Sequence, residues 1–311
     1  MPSSRSAGDE RFALATGALS LDAVVGAARS AEERGYEAVL VGEVELESDA
    51  FVTAAAVLQA TSRIRCGPGV ANVIDRHPVA LARGAATLDR LAPGRALLGL
   101  GRGHRAYADR LGVPWRAAAL SDAAVICRDV LDGRAAWHDG SGWAARVDPA
   151  PPRSAARERV PMLLAAVGPH TLRLAGELAD GVLLNYGAPP EYVAWAAAEV
   201  AEGARAAGRD PGEVDVFGYL FVVRTDAPDA AGRLDALRRS LAELHADPEQ
   251  GRWLAAQVGA PARWDDEALR RFAVVGTREE CLQRIAEYRE AGLRCVVLMP
   301  SGVRALHGTP S

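Results

Sequence analysis

The sequence predicts a closed α/β barrel of eight strand–helix units, a (β/α)8 TIM barrel, with an insertion near strand 7. Three observations lead there. The chain has 311 residues, which suits a barrel of about 250 residues carrying insertions. Short apolar runs alternate with longer stretches of helical periodicity, the pattern of βαβ units in a parallel sheet. The first apolar run ends in Thr16-Gly17 with no GxGxxG behind it. An open doubly wound sheet, the alternative, normally carries a glycine-rich phosphate turn at that point.

In chain order, residues 12–15 read as the first strand and 21–34 as a helix. Leu21, Val24, Val25 and Ala28 share one face of that helix; Ser20 is placed to cap it and Gly35 to end it. Strand two is 38–41, followed by a helix at 50–60. Strand three is 64–66; His77-Pro78 starts a helix running to about 91, and Pro93-Gly94 is a turn. Strand four is 96–100, and a helix at 121–131 follows a long loop. The stretch 132–160, with Gly133, Gly140, Gly142, Pro149, Pro151 and Pro152, reads as an irregular connection. Next come strand five at 162–165, a helix at 171–178, strand six at 182–185 and a helix at 192–207. Strand seven is longer, 214–223, and the polar, mostly helical stretch 233–271 exceeds what a crossover needs. A helix at 278–291 and strand eight at 295–299 close the series. The strands are apolar on both faces, as parallel strands covered by helices should be. The expected organisation is one barrel domain over 1–311, with a polar tail at 1–10 and a helical insertion at 233–271 over the pocket.

Apolar residues make up 49% and charged residues 24%, enough to fill a large core and inconsistent with a largely disordered chain. A net charge of -4 gives no reason to expect nucleic acid as a partner. All 36 Lys+Arg residues are arginine, which reads as coding bias. Residues 1–10 lack the apolar centre of a secretory signal, and no run approaches the roughly 20 residues that span a bilayer. The expected compartment is the cytoplasm, with no membrane partner. Cys66, Cys127, Cys281 and Cys295 lie far apart without a CxxC pair, and read as reduced buried thiols, not as a metal or disulfide framework.

Barrel ligands are held by the loops that follow the strands. That selects Thr16, Glu43, residues 67–72, 101–104, 166–171 and 185–187, Arg224, and 300–302. Gly67 and Gly69 let a backbone approach a flat ligand closely, or make a tight turn at a barrel corner. Gly99, Gly101 and Gly103 remove side chains from one face of a strand end, making room for a ring system. His104 follows them, as a proton donor near that ring or as a solvent-facing loop histidine. Val167, Gly168, Pro169, His170 and Thr171 enter a helix whose free amides attract phosphate, unless Thr171 simply caps it. Glu43 ends strand two, either as a base or orienting carboxylate or as part of an acidic loop with Glu45 and Glu47. Arg76-His77-Pro78 reads as a helix start. His138, His245 and His307 lie in polar stretches with no metal-ligand spacing, and no metal site is expected.

An ordered series of segments then resembles a known family: 31–42 (AEERGYEAVLVG), 61–70 (TSRIRCGPGV), 76–78 (RHP) with 85–91 (AATLDRL), 99–103 (GLGRG), 174–182 (LAGELADGV) and 275–280 (VGTREE). Together they resemble the luciferase-like monooxygenase superfamily, in its branch of coenzyme F420-dependent reductases related to methylenetetrahydromethanopterin reductase. The resemblance runs from about Phe12 to Gly302. It implies a pocket-covering insertion near strand seven. It also implies a bulge with a non-proline cis peptide at Gly69-Val70 backing the cofactor ring, and a phosphate site on the backbone of Gly168 to Thr171. Asn72 and Asn185 are further contacts under it, and relatives often form homodimers through barrel helices. Two departures alter the acid/base pattern. The strand-two pair is Glu43-Val44, without the family's histidine, and His104 stands where many relatives carry an acid. The function expected is hydride transfer between F420 and a small organic substrate such as an imine or enone, with His104 and Glu43 as the catalytic pair. An FMN-dependent monooxygenase is the alternative, and a non-catalytic flavin-binding protein the second.

Overall fold

The computed structural model describes residues 11–17, 19–43, 48–149, 159–248 and 250–299. The polar tail 1–10, Val44, Glu45, Glu47, Pro151, Pro152, residues 300–302 and His307 lie outside them. The chain runs through β1 (Phe12–Ala15), α1 (Leu21–Glu33), β2 (Ala38–Val41), α2 (Ala50–Ala60), β3 (Arg65–Pro68), β4 (Ala71–Asn72) and α3 (Pro78–Leu91). It continues with β5 (Leu98–Gly101), α4 (Arg105–Leu111), α5 (Ala119–Leu131), a hairpin of β6 (Ala136–Asp139) and β7 (Ala144–Val147), β8 (Met162–Ala165), α6 (Pro169–Leu178) and β9 (Gly181–Leu184). It ends with α7 (Pro190–Ala206), β10 (Asp215–Leu220), β11 (Val222–Arg224), α8 (Ala230–Ala246), α9 (Gln250–Val258), α10 (Asp266–Phe272), β12 (Val274–Gly276), α11 (Arg278–Glu290) and β13 (Cys295–Leu298).

Nine strands form one sheet in the order β3-β2-β1-β13-β10-β9-β8-β5-β4, and every paired neighbour is parallel. β3 and β4 are the two halves of the third expected strand, separated at Gly69-Val70. They sit at opposite ends of the sheet order, so the sheet meets itself around β5. Cys66 N–H donates to the Arg95 carbonyl at 2.8 Å and Leu97 N–H to the Cys66 carbonyl at 3.2 Å. The barrel expectation holds.

Side chains alternate between two cores, as strand periodicity requires. Ala13, Ala15, Ala38, Leu40, Leu97, Leu163, Leu183, Phe217, Cys295 and Val297 fill the barrel interior, with Val70, Tyr219 and Met299 partly buried against them. Residues of opposite parity, such as Leu14, Val39, Leu98, Leu164, Val182 and Val296, face the helices. All four cysteines are buried and free.

Three local expectations are corrected. The connection 132–160 is not irregular throughout, because β6 and β7 form an antiparallel hairpin. Asp122 of α5 anchors its turn, accepting from Gly142 N–H at 2.7 Å, Trp143 N–H at 3.0 Å and the His138 ring at 2.9 Å. The long loop before α5 contains α4. Strand seven divides at Phe221: β10 stays in the barrel, while β11 leaves to pair with β12. His245, in a polar stretch of sequence, is nonetheless half-buried, its ring packed edge-on against Trp264 and Phe272 at 4.7 and 4.8 Å. The stretch 233–271 is helical as expected, divided among α8, α9 and α10. No helix of the described residues is long and apolar enough to cross a membrane.

Charged pairs tie the N-terminal end of the barrel. Arg11, ahead of β1, reaches Asp215 of β10 at 2.8 Å and also bonds Glu37, which pairs with Arg65. A second tie uses Glu32 of α1, whose carboxylate accepts from the backbone N–H groups of Ser62, Arg63 and Ile64 at 2.9, 2.6 and 2.9 Å. Burial works against its charge, but these amides hold the carboxyl at about 2, down from an ordinary 4.5. The folded-state value lies below the unfolded one. Its stabilisation is therefore complete above about pH 4.5 and is lost as pH falls through about 2. Glu32→Gln should flatten the stability curve between about pH 2 and 4.5, measured by circular dichroism against wild type, and lower stability above about pH 6 without changing its pH slope there.

Candidate active site

The parallel sheet puts the end of every barrel strand at one mouth. β5 and β8 are neighbours, with Leu98, Gly99 and Leu100 opposite Met162, Leu163 and Leu164. Gly101–His104 and Gly168–Thr171 therefore emerge side by side. Glu43 and Asn185 follow β2 and β9, and Asn72 ends β4, at the same end.

The Gly69-Val70 peptide is cis, as the family resemblance implies. The phenol of Tyr219, on β10, crosses the barrel interior and donates to the Gly69 carbonyl at 2.6 Å. The bulge is thus tied to the strand facing it. Burial pushes the Tyr219 hydroxyl far above its usual range, so it remains a donor.

The strand-four glycines serve a different purpose from the one expected. A Cβ on Gly101 would fall 2.3 Å from Val70 Cγ2, and one on Gly99 would fall 2.5 Å from the Pro68 carbonyl. The room they leave is filled by the bulge, so Val70, with Tyr219 and Met299, forms the apolar floor of the mouth. Gly67 is a barrel-corner residue: a Cβ there would lie 1.9 Å from the Leu97 carbonyl. Gly103 has φ of +76° and lies against the Asn72 side chain, where an added Cβ would be 3.2 Å from Oδ1.

Glu43 is nearly enclosed, with its side chain 8% exposed. Its Oε2 accepts from Asn72 N–H at 2.8 Å, and its Oε1 lies 3.0 Å from Arg76 Nη2. Burial raises its carboxyl above the usual range, Asp75 and Asp49 push the same way, and the Asn72 amide and Arg76 oppose them. The acidic-loop reading of Glu43 does not describe this environment. His104 is the backbone N-cap of α4, and its side chain makes no capping bond. The ring is exposed beside Gly103.

At β8 the chain enters α6 with Gly168 as N-cap and no side-chain cap. Thr171 does not supply one: its hydroxyl donates to the Gly168 carbonyl at 3.1 Å. The amides of His170 and Thr171 precede the first intrahelical bond and are left for an outside acceptor. Pro169 has no amide and fits the first turn. The Val167 carbonyl accepts from the Tyr192 hydroxyl. A Cβ on Gly168 would fall 2.7 Å from the indole nitrogen of Trp253, so α9 of the insertion lies directly on this helix start. Asn185 is tied to the same helix: its Nδ2 donates to Gln250 Oε1 at 2.5 Å, and its Oδ1 accepts from Tyr186 N–H at 2.9 Å.

Thr16 completes the mouth at the end of β1. Its hydroxyl is buried and has no hydrogen-bond partner, which costs about 1–3 kcal/mol until an acceptor or donor arrives. Sequence reasoning passed over Tyr219, Trp253 and the inward reach of Arg76. Tyr219 had a signal, namely a phenol two residues beyond inward-facing Phe217 at the end of a barrel strand. Trp253 had none, because nothing in a helical insertion tells which residue meets the barrel.

The model of the luciferase-like monooxygenase family matches residues 6–295. The chain is 30% identical over 293 residues to the 5,10-methylenetetrahydromethanopterin reductase of Methanolobus tindarius, covering 87% of each chain. It is 28% identical over 256 residues to the F420-dependent glucose-6-phosphate dehydrogenase of Microbacterium testaceum, covering 78% of this chain and 74% of that one. Among solved structures, the coenzyme F420-dependent tetrahydromethanopterin reductase of Methanopyrus kandleri superposes with a TM-score of 0.74 over 96% of this chain and 95% of the other, at 24% identity, which establishes the shared fold. The barrel, its split third strand and these matches agree: the chain belongs to the luciferase-like monooxygenase family, and the matched relatives are F420-dependent oxidoreductases.

Proposed function

We propose that this protein is an F420-dependent oxidoreductase that transfers a hydride between the deazaflavin and a small organic substrate such as an imine or enone. The observation that carries the reading is the pairing, at one mouth, of an apolar floor with an uncapped helix start. Val70, Tyr219 and Met299 supply a surface suited to one face of a planar ring. The free amides of His170 and Thr171 suit an anionic tail, with the Trp253 indole packed on Gly168 beside them. The unpartnered Thr16 hydroxyl is a further polar contact for a bound group. The residues present fit a flat, phosphate-bearing cofactor. The names of the matched relatives favour F420 over FMN.

When bound, the cofactor supplies the two-electron chemistry. The chain's own residues position and handle protons. Glu43 is buried, held by two donors and poised to orient a substrate or take its proton. His104 is exposed at the rim, where its imidazole can donate a proton or orient the substrate. The 230–272 helices, through Trp253 and Gln250, lie over the helix start and exclude water from it. A homodimer and a single 1–311 domain remain part of the reading.

Separate titrations of the apoprotein with F420 and FMN, followed by flavin fluorescence, should give a lower dissociation constant for F420. Tighter FMN binding with oxygen consumed in turnover would replace this reading with the monooxygenase one. Tight binding without redox activity toward any electron source would leave a carrier. His104→Ala should lower kcat by about 10²-fold or more while cofactor affinity changes little; unchanged kcat removes the histidine from proton transfer.

A further inference from the structure

Arg76 opens the helix-start motif Arg76-His77-Pro78, and only the latter two residues do what that motif suggests. His77 is the N-cap of α3, with Nδ1 accepting from Val79 N–H at 3.2 Å, and Pro78 sits in its first turn. Arg76 turns toward the barrel mouth. Its Nη2 lies 3.0 Å from Glu43 Oε1 and 2.6 Å from Asp49 Oδ2, and its guanidinium carbon is 5.2 Å from the centre of the Phe51 ring. Asp49 is itself immobilised as the N-cap of α2, with Oδ1 accepting from Phe51 and Val52 N–H, each at 2.9 Å. A chain of fixed contacts therefore runs from the start of α2 through Asp49 and Arg76 to Glu43, whose other oxygen is held by the Asn72 amide.

We propose that Arg76 is a positioning residue for the mouth: by sharing one guanidinium nitrogen between Asp49 and Glu43, it keeps the Glu43 carboxylate ionised and aimed to accept the substrate's proton. The inference rests on the oxidoreductase reading for the origin of that proton, but not for the hold of Arg76 on Glu43. In the oxidative direction, the substrate's O–H or N–H bond breaks and its proton passes to Glu43. Bound oxidised deazaflavin would supply the acceptor for the hydride on the adjacent carbon, and the substrate would become a carbonyl or imine.

Among the described residues, the groups acting on Glu43 are Arg76 from the turn before α3, Asp75 beside it, Asp49 from the start of α2 and the Asn72 amide. Tyr107 of α4 is coupled through Asp75, to which its hydroxyl donates at 3.1 Å. One cation thus stands among three carboxylates. Without it, Glu43 would be buried beside two like charges and would keep its proton to higher pH.

The test titrates Glu43 by ¹³C NMR of glutamate side-chain carboxyls in cofactor-free protein, with Glu43→Gln giving the assignment. Arg76→Gln should raise the Glu43 midpoint by about one to three pH units, and Arg76→Lys should raise it less. Asp49→Asn keeps the N-cap acceptor but frees Arg76 for Glu43 alone and removes a negative charge, so it should lower the midpoint. In the loaded enzyme, the acid limb of the kcat pH profile should move with each midpoint while KM for the cofactor stays constant. An unmoved Glu43 midpoint in folded Arg76→Gln, or an acid limb that ignores a moved midpoint, overturns the proposal. If wild type catalyses no hydride transfer, the oxidoreductase reading fails, and the titration still decides whether Arg76 governs Glu43.

Discussion

The mouth depends on one steric constraint: β3 and β5 approach so closely that no side chain fits between them. Gly67 faces the Leu97 carbonyl at a distance that excludes even a methyl group. Closing the barrel at this seam leaves the third strand unable to run straight, and it breaks at Gly69-Val70. The break turns Val70 into the space above Gly99 and Gly101, and Tyr219 fixes it from the far side by its bond to the Gly69 carbonyl. Closure and site are consequently the same piece of backbone. Asn72, just beyond the break, presents its amide to Glu43, so even the carboxylate takes its place from this seam.

Charge is divided between the two ends of the barrel according to task. At the N-terminal end, Arg11, Glu37, Asp215 and Arg65 neutralise one another around the strand starts. Arg128, only 4% exposed, pairs there with Asp132 and Asp180. These groups have partners enough to be structural. At the mouth the balance differs, because among the described residues one cation, Arg76, is shared by Glu43 and Asp49, and the Thr16 hydroxyl has no hydrogen-bond partner. Shared and missing partners at the mouth fit the tendency of perturbed groups to gather at functional sites.

Alternation of apolar strands with amphipathic helices made the barrel legible, because each strand is buried on both faces and each helix on one. The mouth residues were legible by topology alone: in a parallel barrel any residue following a strand belongs to one end. Their individual roles were less so. Glycine at 99 and 101 signals that something must come close, but not that the something is Val70 of the same chain. Thr171 after a Gly-Pro step looks like a cap, and only the rotamer shows its hydroxyl turned to Gly168. Arg76 reads as part of a helix start because its partners, Glu43 and Asp49, lie 33 and 27 positions earlier in the sequence. The hairpin after α5 was hidden because Gly140 and Gly142 within it and the prolines after it read as an irregular connection, while Asp122, which anchors it, sits on a preceding helix.

The contact of Trp253 with Gly168 and the bond of Gln250 to Asn185 join α9 to the helix start where the proposed anionic tail would rest. The α9 helix and that tail site cannot then diversify independently. A lineage that remodels α9 to admit a bulkier substrate would also disturb the proposed grip on the cofactor. New specificities in this scaffold should accordingly accumulate around α9 and not within it.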